Sequence, residues 1–210
     1  RAPHLLVGFP TRYIDRGWSE SMKSLPALEQ RKLRAAASER YGTAITDALF
    51  MSSRDGTQFH RWNEAFLRPG AERPETWHYG HQYIAWHLVE TKSAKPGAAD
   101  ELSLYATESY WHGKGSALRR YTLRLDGFVS VNGSADDGNE LLTKPVKFKG
   151  AKLTFNFSTS AAGSLKVELQ KPDGSAYDGF ALGESDLIFG DTLERTVTWK
   201  GKSDLSQIAG

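Results

Sequence analysis

The sequence predicts an all-β fold, and two observations lead to that prediction. An Asp-Gly turn at Asp55-Gly56 follows an alternating apolar run and leads directly into Phe59. Asp-Gly between strand-like runs is a strong hairpin signal, because Gly adopts positive φ at little cost. A looser copy of the pattern returns at Asp126-Gly127-Phe128. A hairpin that recurs along the chain indicates a repeated all-β unit.

The strand-like runs fall into two groups that follow the same order. The expected strands are 4–9, 46–52 and 59–66 in the first group, and 82–90, 101–107, 118–125 and 128–131 in the second. Four-stranded antiparallel repeats are the blades of a β-propeller. Residues 1–132 are therefore predicted to hold the last one to two blades, and the remaining N-terminal blades of the same protein are expected upstream of Arg1.

Three further segments lie outside the repeated strand pattern. Residues 20–40 are rich in helix formers, which predicts a helical insertion whose basic run, Arg31–Arg34, is a solvated face. A polar, turn-forming linker is expected at 131–138. Residues 139–210 then alternate apolar and polar residues, as antiparallel strands of a β-sandwich do. We expect this sandwich to be truncated. Trp62, Trp86 and Trp199 lie in strand patterns and are predicted to be core residues.

Composition excludes several classes of function. The net charge is +2, from 27 basic and 25 acidic residues, so no global field recruits nucleic acid. The sequence contains no run of eighteen apolar residues, so it predicts no membrane-spanning helix. The chain has no Cys and hence no disulfide or thiolate chemistry. No phosphate loop, dinucleotide fingerprint or nucleophile elbow is present, and we expect no cofactor.

Several stretches together indicate a family. Asp-Gly-aromatic hairpins that close antiparallel blades, followed by a C-terminal β-sandwich, resemble the five-bladed propeller glycoside hydrolases of families 32 and 43. A closer likeness is to bacterial proteins described as glycosyl-hydrolase-like. The stretches that carry it are Pro3–Tyr13, Leu49–Gly56, Leu118–Val131 and Thr159–Leu165. The resemblance implies a carbohydrate substrate or ligand and an extracellular or periplasmic location. It also implies hydrolysis by paired carboxylates that lie mostly on earlier blades.

The propeller topology implied by this resemblance places three loops on the ligand face, at about 10–45, 76–82 and 107–117. In the first loop, Arg12 and Tyr13 follow an apolar strand, and the guanidinium is suited to clamp a hydroxyl or carboxylate. In the second, Trp77 offers a flat face for a sugar, and His78 and His81 offer hydroxyl partners. Two His residues without a third ligand do not predict a metal site.

The third loop contains the one catalytic candidate within the chain. Glu108 is flanked by aromatics that include Trp111, and partial burial is expected to raise its pKa, as a general acid requires. The alternative is that Glu108 pairs with Arg119 or Arg120. Asp55 and Asp126 lie on the opposite face and are expected to bond turn amides.

Two rival functions stay open from sequence. Propellers host many functions, so a non-catalytic carbohydrate-binding protein is the alternative to a hydrolase. A scaffold without a ligand is the third possibility. A loop face that clusters polar and aromatic side chains favours the first two over the third.

Overall fold

The computed structural model describes residues 4–112, 115–134 and 138–210. The fold is mostly β, with 31% strand and 10% helix. The chain divides into two compact units, a first unit up to Phe128 and a second unit from Val129 onward. Among the helices of the described residues, none has both the length and the apolar character needed to cross a bilayer. Parts of the expected loop and linker, 113–114 and 135–137, lie outside the described residues.

Within its described residues, the first unit contains eight strands and three helices. In chain order they are β1 (Leu6–Gly8), β2 (Thr11–Asp15), α1 (Glu20–Ser24), α2 (Leu28–Ala35), α3 (Arg40–Thr43), β3 (Ala44–Ala48), β4 (Met51–Ser53), β5 (His60–Arg61), β6 (Val89–Thr91), β7 (Glu101–His112) and β8 (Gly115–Arg124). The three helices confirm the predicted helical insertion, which separates β2 from β3.

A long antiparallel pairing forms the first half of this unit. β1 pairs with β4 and β2 pairs with β3 in one continuous register, from Leu6 opposite Ser53 to Asp15 opposite Ala44. The pairing is interrupted at the Phe9-Pro10 step, where the amide of Leu49 still donates to the Pro10 carbonyl at 2.8 Å. Pro has no amide hydrogen, so the ladder is broken there. The helical insertion connects β2 to β3 and so joins the two strands of this ribbon at one end.

The Asp55-Gly56 turn joins β4 to its antiparallel partner β5, which confirms the predicted hairpin. The Asp55 carboxylate accepts from the amides of Thr57 and Gln58 at 2.9 and 2.7 Å. These bonds lower the pKa of Asp55 to about 2. Gly56 has φ +77°, the conformation for which the sequence supplies Gly. The predicted role of Asp55 as a turn residue is confirmed.

The second sheet of this unit departs from the expected four strands. It has three, in the order β6-β7-β8. β7 continues through residues 108–112, which were expected to be loop, with a register irregularity between Glu108 and His112. The Asp126-Gly127 turn forms, with the Gly127 amide on the Arg124 carbonyl at 3.0 Å. Residues 128–131 form no strand after it, so the predicted fourth strand is wrong.

The basic run on α2 is also different from its prediction. Arg31 and Arg34 are 2% and 5% exposed, whereas Leu33 between them is 68% exposed. Positions three apart share a helix face, so α2 turns its arginines inward and its leucine outward. The solvated-face prediction is wrong because these guanidiniums bond backbone carbonyls of a neighbouring loop, as described below. The hydropathy of the sequence does not show that backbone carbonyls lie within reach of these guanidiniums.

The second unit has an apolar core and little regular strand. Its elements are β9 (Thr154–Ser158), β10 (Asp191–Thr196) and a 3₁₀ turn (Ser206–Ile208), with β9 and β10 paired antiparallel. The buried centre is formed by Ile188, Val197, Trp199 and Leu205. The prediction for Trp199 is confirmed, since it is 1% exposed; that for Trp86 is wrong, since it is 86% exposed. The propeller and sandwich architectures stay predictions.

Candidate functional site

Strand β2 separates two surface recesses in the first unit. Side chains alternate across a strand, so even and odd positions face opposite sides. Arg12 and Ile14 line one recess, together with Ile45 and Asp47 from the paired strand β3. Tyr13 lines the other recess. The adjacent residues Arg12 and Tyr13, predicted as one site, therefore belong to two.

We call the first recess the arginine groove. Its volume is about 640 Å³, which is in the range of small-molecule sites. It is lined by Arg12, Ile14, Arg16, Ile45, Asp47, Asn63, Glu64, Ala65, Arg68, Pro69, Gly70 and Trp77. Two of the predicted site residues, Arg12 and Trp77, are thus brought together, beside charged groups and a backbone turn.

Arg12 is held in the groove by a fixed set of bonds. Its Nε and Nη2 donate to the two carboxylate oxygens of Asp47 at 3.0 and 2.5 Å, and its Nη1 donates to the Asn63 carbonyl at 2.8 Å. The hydrogen bond to Asp47 raises the pKa of Arg12. A bidentate pair on directly opposed strand residues fixes the orientation of both side chains. It presents their outer edges to the groove as a rigid polar surface.

Trp77 also lines the groove and is half-buried. Its indole Nε1 donates to the Gly70 carbonyl at 2.7 Å. The backbone of Trp77 has φ +59°, an uncommon conformation for a bulky residue. The bonded nitrogen and the constrained backbone hold the indole in one orientation. A flat aromatic surface is therefore fixed beside a row of hydrogen-bonding groups.

The second recess, which we call the tyrosine recess, is lined by Thr11, Tyr13, Arg40, Tyr79 and Tyr83, with a volume of about 320 Å³. Tyr79 is central to an aromatic cluster, at 6.1 Å from Tyr13 and 6.3 Å from Tyr83 between ring centroids. The Arg40 guanidinium lies 5.8 Å from the Tyr79 ring. Burial raises the pKa of Tyr83, so its hydroxyl keeps its proton.

Trp111 extends this aromatic cluster and does not line either recess. Its ring stacks on Tyr110 at 6.0 Å and meets Tyr41 edge-on at 5.3 Å. Gln30 donates to the Trp111 carbonyl at 3.1 Å. The side chain is still 49% exposed. Trp111 therefore anchors the end of β7 to the helical insertion.

The two predicted histidines are buried in the loop between Thr76 and Gln82. His78 and His81 are 2% and 0% exposed, and their rings lie 5.5 Å apart. His78 Nδ1 bonds the Tyr79 carbonyl at 2.9 Å. Its Nε2, and both ring nitrogens of His81, have no partner within the described residues. Neither histidine lines a recess, so their predicted contact with a ligand has no open path in this structure.

Burial sets the charge state of both histidines. It lowers the pKa of His78 to about 3 and that of His81 to about 4. The charge of Glu108 works against this shift for His81, and those of Arg73 and Arg119 work with it. Both imidazoles are neutral near pH 7. Across the described residues, no group of three or more His, Asp or Glu side chains is arranged to hold a metal ion.

Polar contacts to backbone carbonyls hold this loop in place. Arg31 donates to the carbonyl of Trp77 and, at 3.4 Å, to that of Thr76. Arg34 donates to the Tyr79 carbonyl at 2.8 Å. From the sheets, Thr46 donates to the His81 carbonyl at 2.8 Å. The loop backbone is thus satisfied by side chains, as buried backbone outside regular structure requires.

Glu108, the predicted general acid, is the centre of an ion-pair cluster. Its carboxylate lies 2.6 Å from Arg119 Nε and 3.4 Å from Arg73 Nη2, and accepts from the Tyr121 hydroxyl at 2.8 Å. Burial acts to raise the pKa of Glu108, but the bonds from Arg119 and Tyr121 and the charges of both arginines outweigh it. The pKa is lowered. The predicted upward shift is wrong, and the alternative pairing with Arg119 is confirmed.

Four charged groove residues were not among the predicted site residues: Arg16, Asp47, Glu64 and Arg68. Arg16 and Asp47 come onto the face of Arg12 only through the phase of β2 and the register of β3. Arg68 reaches the groove from the loop after β5. If the predicted strand 4–9 had been extended past Phe9, the alternating positions Arg12, Ile14 and Arg16 would have indicated two arginines on one strand face.

A scan against protein-family models, a search of curated proteins and a search of solved structures each find no match to this chain. The function is therefore argued from the geometry of the two recesses.

Proposed function

We propose that this chain binds carbohydrate in the arginine groove. The observation that carries the proposal is that Trp77 lines the same groove as the bidentate Arg12–Asp47 pair. An aromatic face packs against the C–H side of a sugar ring, and planar polar groups bond its hydroxyls. The volume of about 640 Å³ accommodates a short oligosaccharide.

Binding is supported better than hydrolysis. Glycoside hydrolysis requires one carboxyl group that carries a proton and a second that is ionised. The groove contains Asp47 and Glu64, and each forms an ion pair with an arginine, at 2.5 and 2.9 Å. Neither carboxylate is therefore free of an arginine partner. The pKa of Glu108 is lowered, against the effect of burial, by its bonds to Arg119 and Tyr121, which is the opposite of what a general acid requires. We therefore expect this chain to bind sugars without turnover, whereas a hydrolase would need a protonated carboxyl group from outside the described residues.

The resemblance to propeller glycoside hydrolases belongs to the same proposal. Two three-stranded antiparallel sheets succeed one another in the first unit, and an Asp-Gly turn joins β4 to β5 in the first and follows β8 in the second. This arrangement supports two incomplete blades. The apolar core around Trp199 supports a sandwich-like second unit. A closed propeller would require further strands, because two sheets do not close a ring.

The test compares two tryptophans. We expect Trp77→Ala to weaken binding of soluble oligosaccharides roughly two- to tenfold in titration calorimetry, since one stacked ring contributes roughly 0.5–1.5 kcal/mol. Trp86→Ala is the matched control, because Trp86 is 86% exposed and lies outside both recesses. Trp77→Phe, which keeps a ring, should retain part of the affinity. Equal affinities of Trp77→Ala and the unmodified protein would contradict the proposal, provided that circular dichroism shows both are folded.

A further inference from the structure

The charges of the arginine groove do not cancel. Three arginines and two carboxylates line it. Arg12 is paired with Asp47 at 2.5 Å, and Arg68 with Glu64 at 2.9 Å. Arg16 is the third arginine. Its guanidinium forms no hydrogen bond or ion pair with any residue that the structure describes. One positive charge in the groove is therefore left without a partner.

The backbone of Arg16 is fixed although its side chain is unpaired. Its amide donates to the Thr43 carbonyl at 3.0 Å, immediately after β2 ends. The neighbouring carboxylate, Asp15, accepts from the Gly17 amide at 3.0 Å and the Tyr13 hydroxyl at 3.4 Å. Asp15 thus faces the tyrosine side of the strand and does not neutralise Arg16. The guanidinium is presented to the groove from an anchored position.

We propose that the arginine groove selects an acidic carbohydrate, whose carboxylate or sulfate group is bound by Arg16. This inference rests on the proposed carbohydrate binding and adds the class of ligand. A guanidinium offers a planar fork of donors that matches either anion. Arg12 and Arg68 are already occupied by carboxylates, so the unpaired cation is the position where an anion replaces water without breaking a bond in the protein. The flat indole of Trp77 holds the sugar ring beside it.

The experiment separates the contribution of the negative charge to the binding affinity from that of the sugar ring. The probes are trigalacturonate and its fully methyl-esterified form, which lacks the carboxylate charges and carries methyl groups in their place, and a sulfated galactose trisaccharide with its desulfated form. We expect titration calorimetry to give an affinity for the acidic member of a pair that is roughly tenfold higher than for the neutral one. Raising the salt from about 0.05 M to about 0.5 M should reduce this preference, because the anion is bound near solvent. Whichever pair shows the larger preference identifies the source of the charge.

Variants at two arginines test the assignment. Arg16→Gln should abolish the preference for the acidic member, and Arg16→Lys should restore part of it. Arg54→Gln is the control, since Arg54 is exposed and lies outside the groove, and it should keep the full preference. If Arg16→Gln keeps the preference, or if both members of each pair bind equally, this inference fails while the proposed carbohydrate binding stands. If no probe binds at all, both fail.

Discussion

The two units of this protein bury different chemistry. In the first unit, the loop around His78 and His81 places imidazoles and guanidiniums in the interior, held by bonds to carbonyls. In the second, the buried centre is Trp199 with aliphatic neighbours. An apolar core is stabilised by the apolar surface area that it buries. A buried polar cluster is stabilised only where each hydrogen-bonding partner is in place. The unit that carries both recesses is therefore the one whose interior is more sensitive to single polar changes.

The comparison predicts its largest effect in the second unit. Trp199→Ala removes a side chain that is 1% exposed, packs against Phe180 at 5.1 Å between ring centroids, and donates to the Val167 carbonyl at 2.8 Å. We expect a loss of about 3–5 kcal/mol in the free energy of unfolding. Hydrogen exchange resolved by peptide should show the loss of protection after Val129. An equal loss in both units would contradict the separation of their cores.

A somewhat smaller loss is expected from a polar change in the first unit. Arg31→Met keeps a long side chain but removes the donors to the carbonyls of Trp77 and Pro26. Burial already lowers the pKa of Arg31 to about 10, so the bonds it makes offset a real desolvation cost. We expect a loss of about 2–4 kcal/mol, because loop carbonyls are left unsatisfied.

The neighbouring residue supplies the control for that change. Lys32 is exposed and contacts Glu29 on the solvent side of α2, so Lys32→Met should change stability little. Hydrogen exchange of residues 76–82 is the measurement. If Arg31→Met leaves the exchange of this loop as in the Lys32→Met protein, the arginine is not what holds the loop.

Acid should also distinguish the two units, by a smaller amount for each titrating group. The folded pKa values of about 3 for His78 and 4 for His81 lie below the value of about 6.5 for an unfolded His. The folded state therefore binds fewer protons. Its stability is fully present above pH 6.5 and falls as the pH is lowered, by about 2 kcal/mol for each histidine at pH 5. All six His precede residue 113, so the second unit has no such loss in this window.

Denaturant unfolding at pH 7.5 and pH 5, followed by hydrogen exchange corrected for intrinsic rates, measures this difference. His81→Phe keeps a ring and removes two nitrogens that have no partner in the described residues. This variant should show a smaller pH dependence in the first unit. The same dependence with and without His81 would exclude the histidine as its source.

The sequence predicted the features that local chemistry decides. The Asp55-Gly56 hairpin, the helical insertion and the burial of Trp199 depend on turn preference, helix propensity and hydrophobicity. It did not predict that Arg31 is buried, and it left open whether Glu108 acts as a general acid or pairs with Arg119. Those outcomes depend on partners distant in sequence. Arg12 and Tyr13 line different recesses because they are adjacent residues of a strand. The sequence analysis assigned residues 10–45 to a loop and so did not predict this division.

Strand phase has one further consequence. Because Arg12 and Tyr13 point to opposite sides of β2, a deletion of a single residue within this strand would exchange the contents of the two recesses. Guanidiniums would enter the aromatic recess, and tyrosines would enter the charged groove. Homologous chains should accordingly keep the number of residues from Pro10 to Arg16 constant.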